Sequence, residues 1–184
     1  LESVFIHEVG HGLGFLSNDA YDPFYGLGSL DQPTPFDAYL QTADGRRLAD
    51  LPTPSRELGT ALTSSLVWSG PLGVKANGGI KPKMYTPSRY ESGSSTSHLD
   101  EATFSKSDLD SVMTPSLDPG EIFREPGPLL LAMMEDMRNK PPVGVATDLP
   151  LSPRNVQAFT GDASALVSFD PPVNLRTAQI SEYI

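Results

Sequence analysis

The stretch His7-Glu8-Val9-Gly10-His11 constrains this 184-residue chain more tightly than any other. On an α-helix of about 3.6 residues per turn the two histidines fall one turn apart on the same face, so both imidazoles can reach one small cation. Glu8 stands beside them, where a carboxylate can act as general base towards a metal-activated water. Patterns of this length also recur by accident, and the alternative is a surface or core helix that merely carries two histidines. The histidine inventory bears on that choice. The chain holds His7, His11 and His98 and no cysteine, which is enough imidazole for one zinc site of three protein ligands plus water, with none to spare.

His98 lies in Ser97-His98-Leu99-Asp100, and Ser111-Val112-Met113-Thr114-Pro115 follows it. A methionine in a tight turn after the last ligand accompanies this helix motif in one group of enzymes. Together the three segments resemble a metzincin-type zinc metallopeptidase. The usual metzincin run places its third histidine six residues after the second, and Ser17 occupies that position here. The chain is similar instead to the leishmanolysin-like peptidases and their bacterial relatives, in which a long insertion separates the glycine at Gly14 from the third histidine.

The likeness covers residues 1–140 in order. It implies that His98 joins His7 and His11 around Zn2+, that Met113 forms the floor beneath the metal, and that Glu8 is catalytic. It also implies a secreted or cell-surface endopeptidase acting on protein or peptide substrates. A second enzymatic arrangement would recruit Asp19 or Glu57 as the third ligand in place of His98. A rival from another class is a catalytically degenerate, peptidase-like adhesion or binding module, whose mark would be loss of the glutamate; Glu8 is present.

Composition narrows the partners. A net charge of −10 with thirteen scattered Lys and Arg argues against nucleic acid, since phosphate binding wants a basic patch. No apolar run approaches the ~18 residues of a membrane-spanning helix. The absence of cysteine excludes a disulfide scaffold and a Cys-ligated zinc. The chain opens on Leu1 and reaches its motif by residue 7, which leads to the expectation of a catalytic domain whose N-terminal part, with any signal peptide, lies upstream.

The fold class expected is α+β: the C-terminal part of a zincin-like catalytic domain over residues 1–140, a Pro-rich linker over 141–150, and a truncated β-sandwich module over 151–184. Residues 2–13 read as a helix with Phe5, Val9 and Leu13 as its buried stripe. Gly12 and Gly14 end it. Gly10 either permits a close approach or is merely tolerated. Residues 18–35 read as a long ordered loop whose Asp19, Asp22 and Asp31 are solvated acids, because no calcium-loop spacing is present.

A hairpin is expected over 36–49, turning at Ala43-Asp44-Gly45. Ser55 caps a helix over 56–65. Leu66-Val67-Trp68 and Lys83-Met84-Tyr85 read as strands around a glycine-rich loop at 70–79. A Ser- and Gly-rich loop delivers His98. A helix from Pro128 to Arg138 turns Leu130, Met133, Met134 and Met137 to the core. Beyond the linker, alternation over 153–159, 165–172 and 180–184 resembles the opening of a fibronectin type III domain, the alternative being a flexible tail that alternates by accident.

Overall fold

The computed structural model describes residues 2–104, 109–117 and 120–139, together with the backbone of 154–161 and 164–170. The chain divides into two units, Leu1–Val145 and Ala146–Ile184. The first is a mixture of short helices and two small antiparallel sheets, in keeping with an α+β chain.

Helix α1 spans Glu2–Gly12. Its end is set by Gly14, whose φ of 109° is open to glycine. The Phe15 N–H reaches back to the Gly10 carbonyl at 3.1 Å and the Gly14 N–H to that of His11 at 2.9 Å, the paired bonds of a Schellman closure. Phe15 is thereby turned into the core, where it is fully buried.

The stripe expected to be buried is not. Phe5, Val9 and Leu13 are 69%, 38% and 72% exposed, whereas Ser3 and Gly10 are buried and Ile6 packs against the core. The inward face is the one with the smallest side chains, because the 109–113 turn and Phe123 approach it closely: the Phe123 N–H donates to Ser3 Oγ at 2.8 Å.

Residues 18–35 are more regular than a loop. Strands β1 (Ala20–Asp22) and β2 (Leu27–Ser29) pair antiparallel, and the Asp22 carboxylate accepts the N–H groups of Phe24 and Tyr25 to close their turn. The hairpin expected over 36–49 keeps its turn, where the Thr42 N–H reaches the Arg46 carbonyl at 2.9 Å. Its strand, however, pairs elsewhere. Residues Asp37–Tyr39 form a 3-10 turn, and β3 (Leu40–Thr42) lies antiparallel to β4 (Leu66–Trp68), with only Gln41 bridged to Arg47. Helix α2 (Arg56–Leu62) is capped as expected, Ser55 Oγ accepting the Leu58 N–H at 2.9 Å, and ends three residues before the expected boundary.

The glycine-rich stretch at 70–79 holds a helix, α3 (Pro71–Ala76), with Pro71 in its first turn. Its cap comes from a distant element. Buried Asp136, on α4 (Pro128–Asn139), accepts the Leu72 and Gly73 N–H groups at 2.9 and 2.8 Å and the Trp68 indole N–H at 3.1 Å. Helix α4 matches its expected span, burying Leu130 and Met133 with Met134 and Met137 packed alongside. Aromatic rings tie these parts together: Phe15 to Phe36 at 4.8 Å, Phe36 to Trp68 at 5.2 Å, and Tyr39 to Trp68 at 4.9 Å.

An irregular ladder leads from this core towards His98. The Met84 N–H donates to the Leu66 carbonyl at 3.0 Å, the Tyr85 N–H to that of His98 at 2.8 Å, and the Leu99 N–H to that of Met113 at 2.8 Å. The expected strand at Lys83–Tyr85 is therefore a run of single bridges, Val67 to Lys83 and Met84 to Leu99. In the second unit, β5 (Arg154–Gly161) and β6 (Ser164–Asp170) pair antiparallel with a register shift between Arg154 and Gln157. The expected linker at 141–150 and strand at 180–184 lie outside the described residues.

Helix α2 rests on β2 with almost no gap. A Cβ at Gly59 would stand 2.3 Å from the Gly26 carbonyl oxygen and 3.0 Å from the Gly28 nitrogen, both backbone atoms. Alanine favours a helix by about 1 kcal/mol over glycine, but overpacking against backbone costs about 1–3 kcal/mol. Gly59→Ala is expected to lower the unfolding free energy by up to about 2 kcal/mol, which urea denaturation followed by circular dichroism measures; a stabilised variant would mean that the contact has room.

Candidate metal centre

His7, His11 and His98 come together. Their Nε2 atoms are 3.1 Å (His7–His11), 3.2 Å (His11–His98) and 3.3 Å (His7–His98) apart, although His98 lies 87 residues beyond His11. Among the described residues this is the one group of three or more histidine or acidic side chains placed to hold a metal ion.

Each ring is oriented by its other nitrogen. His7 Nδ1 lies 2.8 Å from the Val112 carbonyl oxygen, His11 Nδ1 2.7 Å from that of Phe15, and His98 Nδ1 2.8 Å from that of Ser94. A carbonyl oxygen can only accept, so each Nδ1 carries the proton and donates it. In the neutral rings every Nε2 then presents a lone pair, and the three short Nε2 contacts hold no proton between them. Lone pairs converging at these distances repel one another unless a cation lies among them. This is the pattern by which a metal-ligating histidine is held through its outer nitrogen.

The environment keeps the third ring neutral. His98 is 5% exposed, and burial, opposed by its bond to Ser94 and reinforced by the two neighbouring rings, pushes its pKa down to about 4. His7 and His11, on the more open helix, are half-buried.

Met113 sits directly under α1. It is fully buried at the end of the 3-10 turn Leu109–Met113. A Cβ on Gly10 would lie 2.7 Å from its Sδ, so the glycine before His11 exists for a close approach, by a methionine side chain and not by backbone. The neighbouring Val112 supplies the carbonyl for His7. One turn thus orients His7 and fills the space beneath its helix.

Glu8 follows His7 on α1, is exposed, and has no hydrogen-bond or ion-pair partner among the described residues. The carboxylates weighed as substitute ligands are engaged elsewhere. Glu57 is exposed on α2 in a short ion pair with Arg46. Asp19 accepts the Tyr90 hydroxyl at 2.6 Å on Oδ1, and the hydroxyls of Ser17, at 2.6 Å, and of Thr96 on Oδ2. Asp31 accepts the Thr53 hydroxyl at 3.2 Å, and Asp22 closes its turn.

Sequence reasoning passed over the residues around Asp19. Ser17 Oγ lies 2.6 Å from both Asp19 and fully buried Asp37. One hydroxyl proton cannot serve two carboxylates at once, and burial raises the Asp37 pKa against the pull of its hydrogen bonds. Burial and the Asp19 carboxylate likewise raise the Tyr90 phenol, which stays a donor. Thr96 has a φ of 67°, the one positive value outside glycine among the described residues; for a β-branched residue this is strain of about 1–3 kcal/mol. The only sequence signal was Ser17 itself, standing where a third histidine would fall.

The depressed His98 pKa has a definite sign. An unfolded histidine takes up a proton near 6.5 while the folded one resists until about 4, so protons favour the unfolded chain in that window. In chelator the protein is expected to lose about 3 kcal/mol of stability as pH falls from about 6.5 to about 4, and His98→Asn to lose much less; urea denaturation across that range distinguishes the two. Comparison of the chain with protein-family models, with curated proteins and with solved structures found no match, and the centre stands on its own geometry.

Proposed function

We propose that residues 1–140 belong to the catalytic domain of a zinc-dependent, leishmanolysin-like endopeptidase, and that residues 151–184 begin a fibronectin type III-like module. The observation that carries this reading is the convergence of three Nε2 lone pairs, with the exposed Glu8 next in sequence to the first of them. A tetrahedral zinc with bonds of about 2.0–2.1 Å holds its nitrogen ligands about 3.3 Å apart, and the spacings of 3.1, 3.2 and 3.3 Å fit it. The donor set suits zinc chemically, with three neutral imidazoles and no thiolate. Bound there, zinc would acidify a water and polarise a substrate carbonyl.

The protein's own groups do the rest. His7, His11 and His98 would hold the ion, each ring fixed by its Nδ1–H bond to a backbone carbonyl. Glu8 takes a proton from the attacking water and returns it to the leaving amine of the scissile peptide. Its exposure leaves it open to substrate. Met113 packs under the ligand helix and offers no proton chemistry.

Glu8→Gln is expected to reduce peptide hydrolysis by at least about a hundredfold, since a general base contributes about 10²–10⁴, with zinc content near one per chain. Loss of zinc together with activity would make Glu8 structural. His98→Ala should strip zinc from the chain and Glu57→Ala should not, and metal analysis after dialysis reads both; the opposite pattern would reassign the third ligand.

A further inference from the structure

His7 and His11 share one helix, which fixes their spacing, but His98 arrives on the short arm 94–98 and needs its own restraint. Taking the three histidines as metal ligands, we infer that Asp19 is a positioning residue of the metal centre: through Thr96 and Tyr90 its carboxylate latches the arm in the strained conformation that brings His98 against His7 and His11.

The arm is buried, with Ser95, Thr96, Ser97 and His98 at 2%, 0%, 5% and 5% exposure. It lacks regular secondary structure. Its conformation turns on Thr96, two residues before the ligand, which holds a φ of 67° that threonine rarely adopts. Backbone bonds alone secure it from one side, the Thr96 N–H donating to the Tyr85 carbonyl at 2.8 Å. The Thr96 hydroxyl secures the other side: its one proton is shared between a short contact to Asp19 Oδ2 and the Ser95 carbonyl at 2.5 Å, and the charged carboxylate is the stronger acceptor.

Asp19 is placed to do this because it follows closely on the end of α1. The Ser17 N–H donates to Ser97 Oγ at 3.1 Å, and the Ser17 hydroxyl lies 2.6 Å from the same Asp19 oxygen. Tyr90, just ahead of the arm, donates to Asp19 Oδ1 at 2.6 Å, and Tyr21 stacks on its ring at 5.1 Å. The segment leaving the two-histidine helix and the arm carrying the third histidine therefore meet on one carboxylate. Released from it, Thr96 relaxes towards negative φ, the peptide planes ahead of His98 rotate in the metal-free chain, and part of the ion's binding free energy goes into drawing the third imidazole back to the same place.

The test uses the full chain. Zinc affinity is measured by competition with a chromophoric chelator, coordination by the visible spectrum of the cobalt(II)-loaded protein, and folding by circular dichroism of the metal-free form. Asp19→Ala and Thr96→Val are expected to weaken zinc about ten- to a hundredfold, the range typical of groups that orient ligands, with one ion bound at saturation and an unchanged cobalt spectrum. Thr96→Ser, which keeps the hydroxyl, should stay close to the parent. Should Asp19→Ala fail to fold, the valine and serine variants of Thr96 decide. Parent-like zinc affinity in both Asp19→Ala and Thr96→Val, or equal losses for the serine and valine variants, would overturn the latch. An altered cobalt spectrum in Asp19→Ala would overturn it too, by making the aspartate a ligand. If His98→Ala binds zinc as tightly as the parent, the three-histidine centre fails and the latch with it, whereas a weakened His98→Ala beside an unaffected Asp19→Ala fails the latch alone.

Discussion

Three hydrogen bonds from imidazole Nδ1 to backbone carbonyls govern this centre. They decide which nitrogen of each ring keeps its lone pair, and without them the short Nε2 contacts could be ordinary proton-sharing pairs. The accepting carbonyls belong to Val112, Phe15 and Ser94, three segments far apart in sequence. The fold's task is to bring those three carbonyls to one place. The Leu99 to Met113 bond joins two of them, and burial of Phe15 anchors the third to the core.

Close packing of small residues makes that convergence possible. Gly10 lets Met113 slide under the ligand helix, and Ser3 on the same face receives the Phe123 N–H. A larger residue at Gly10 would have to displace the Met113 side chain from beneath the helix. On the far side of the core, Gly59 and Gly28 let α2 lie on β2, while Asp136 satisfies the otherwise open end of α3. A dense scaffold surrounds a cluster whose members come from a helix and an arm, which suits a site where geometry must be held to fractions of an ångström.

The parts legible in the sequence were those set by local rules. The helical spacing of His7 and His11, the glycine closure at Gly14, the Ser55 cap and the span of α4 all depend on neighbours within a turn or two. The buried face of α1 was misread because apolar spacing names a stripe without saying what lies opposite; Phe5, Val9 and Leu13 satisfy the periodicity, but the close neighbours sit against Ser3 and Gly10. Helix α3 was missed because its cap, Asp136, is 63 residues beyond Gly73, so glycine content suggested a loop. The union of Ser17, Asp19, Tyr90 and Thr96 was invisible for the same reason: each is an ordinary polar loop residue until the fold brings them together.

The early closure of α1 carries an electrostatic meaning besides its geometric one. Aligned peptide dipoles leave about half a negative charge at a helix C-terminus, and the effect fades within the last turn. His11 lies in that last turn, one residue before the helix ends at Gly12. A cation gathered by the three rings would therefore rest beside the negative pole of the helix that carries two of them. Had the helix run on for another turn or two, the same side chains would meet the ion in a region where the peptide dipoles cancel, and the backbone would contribute little to its capture.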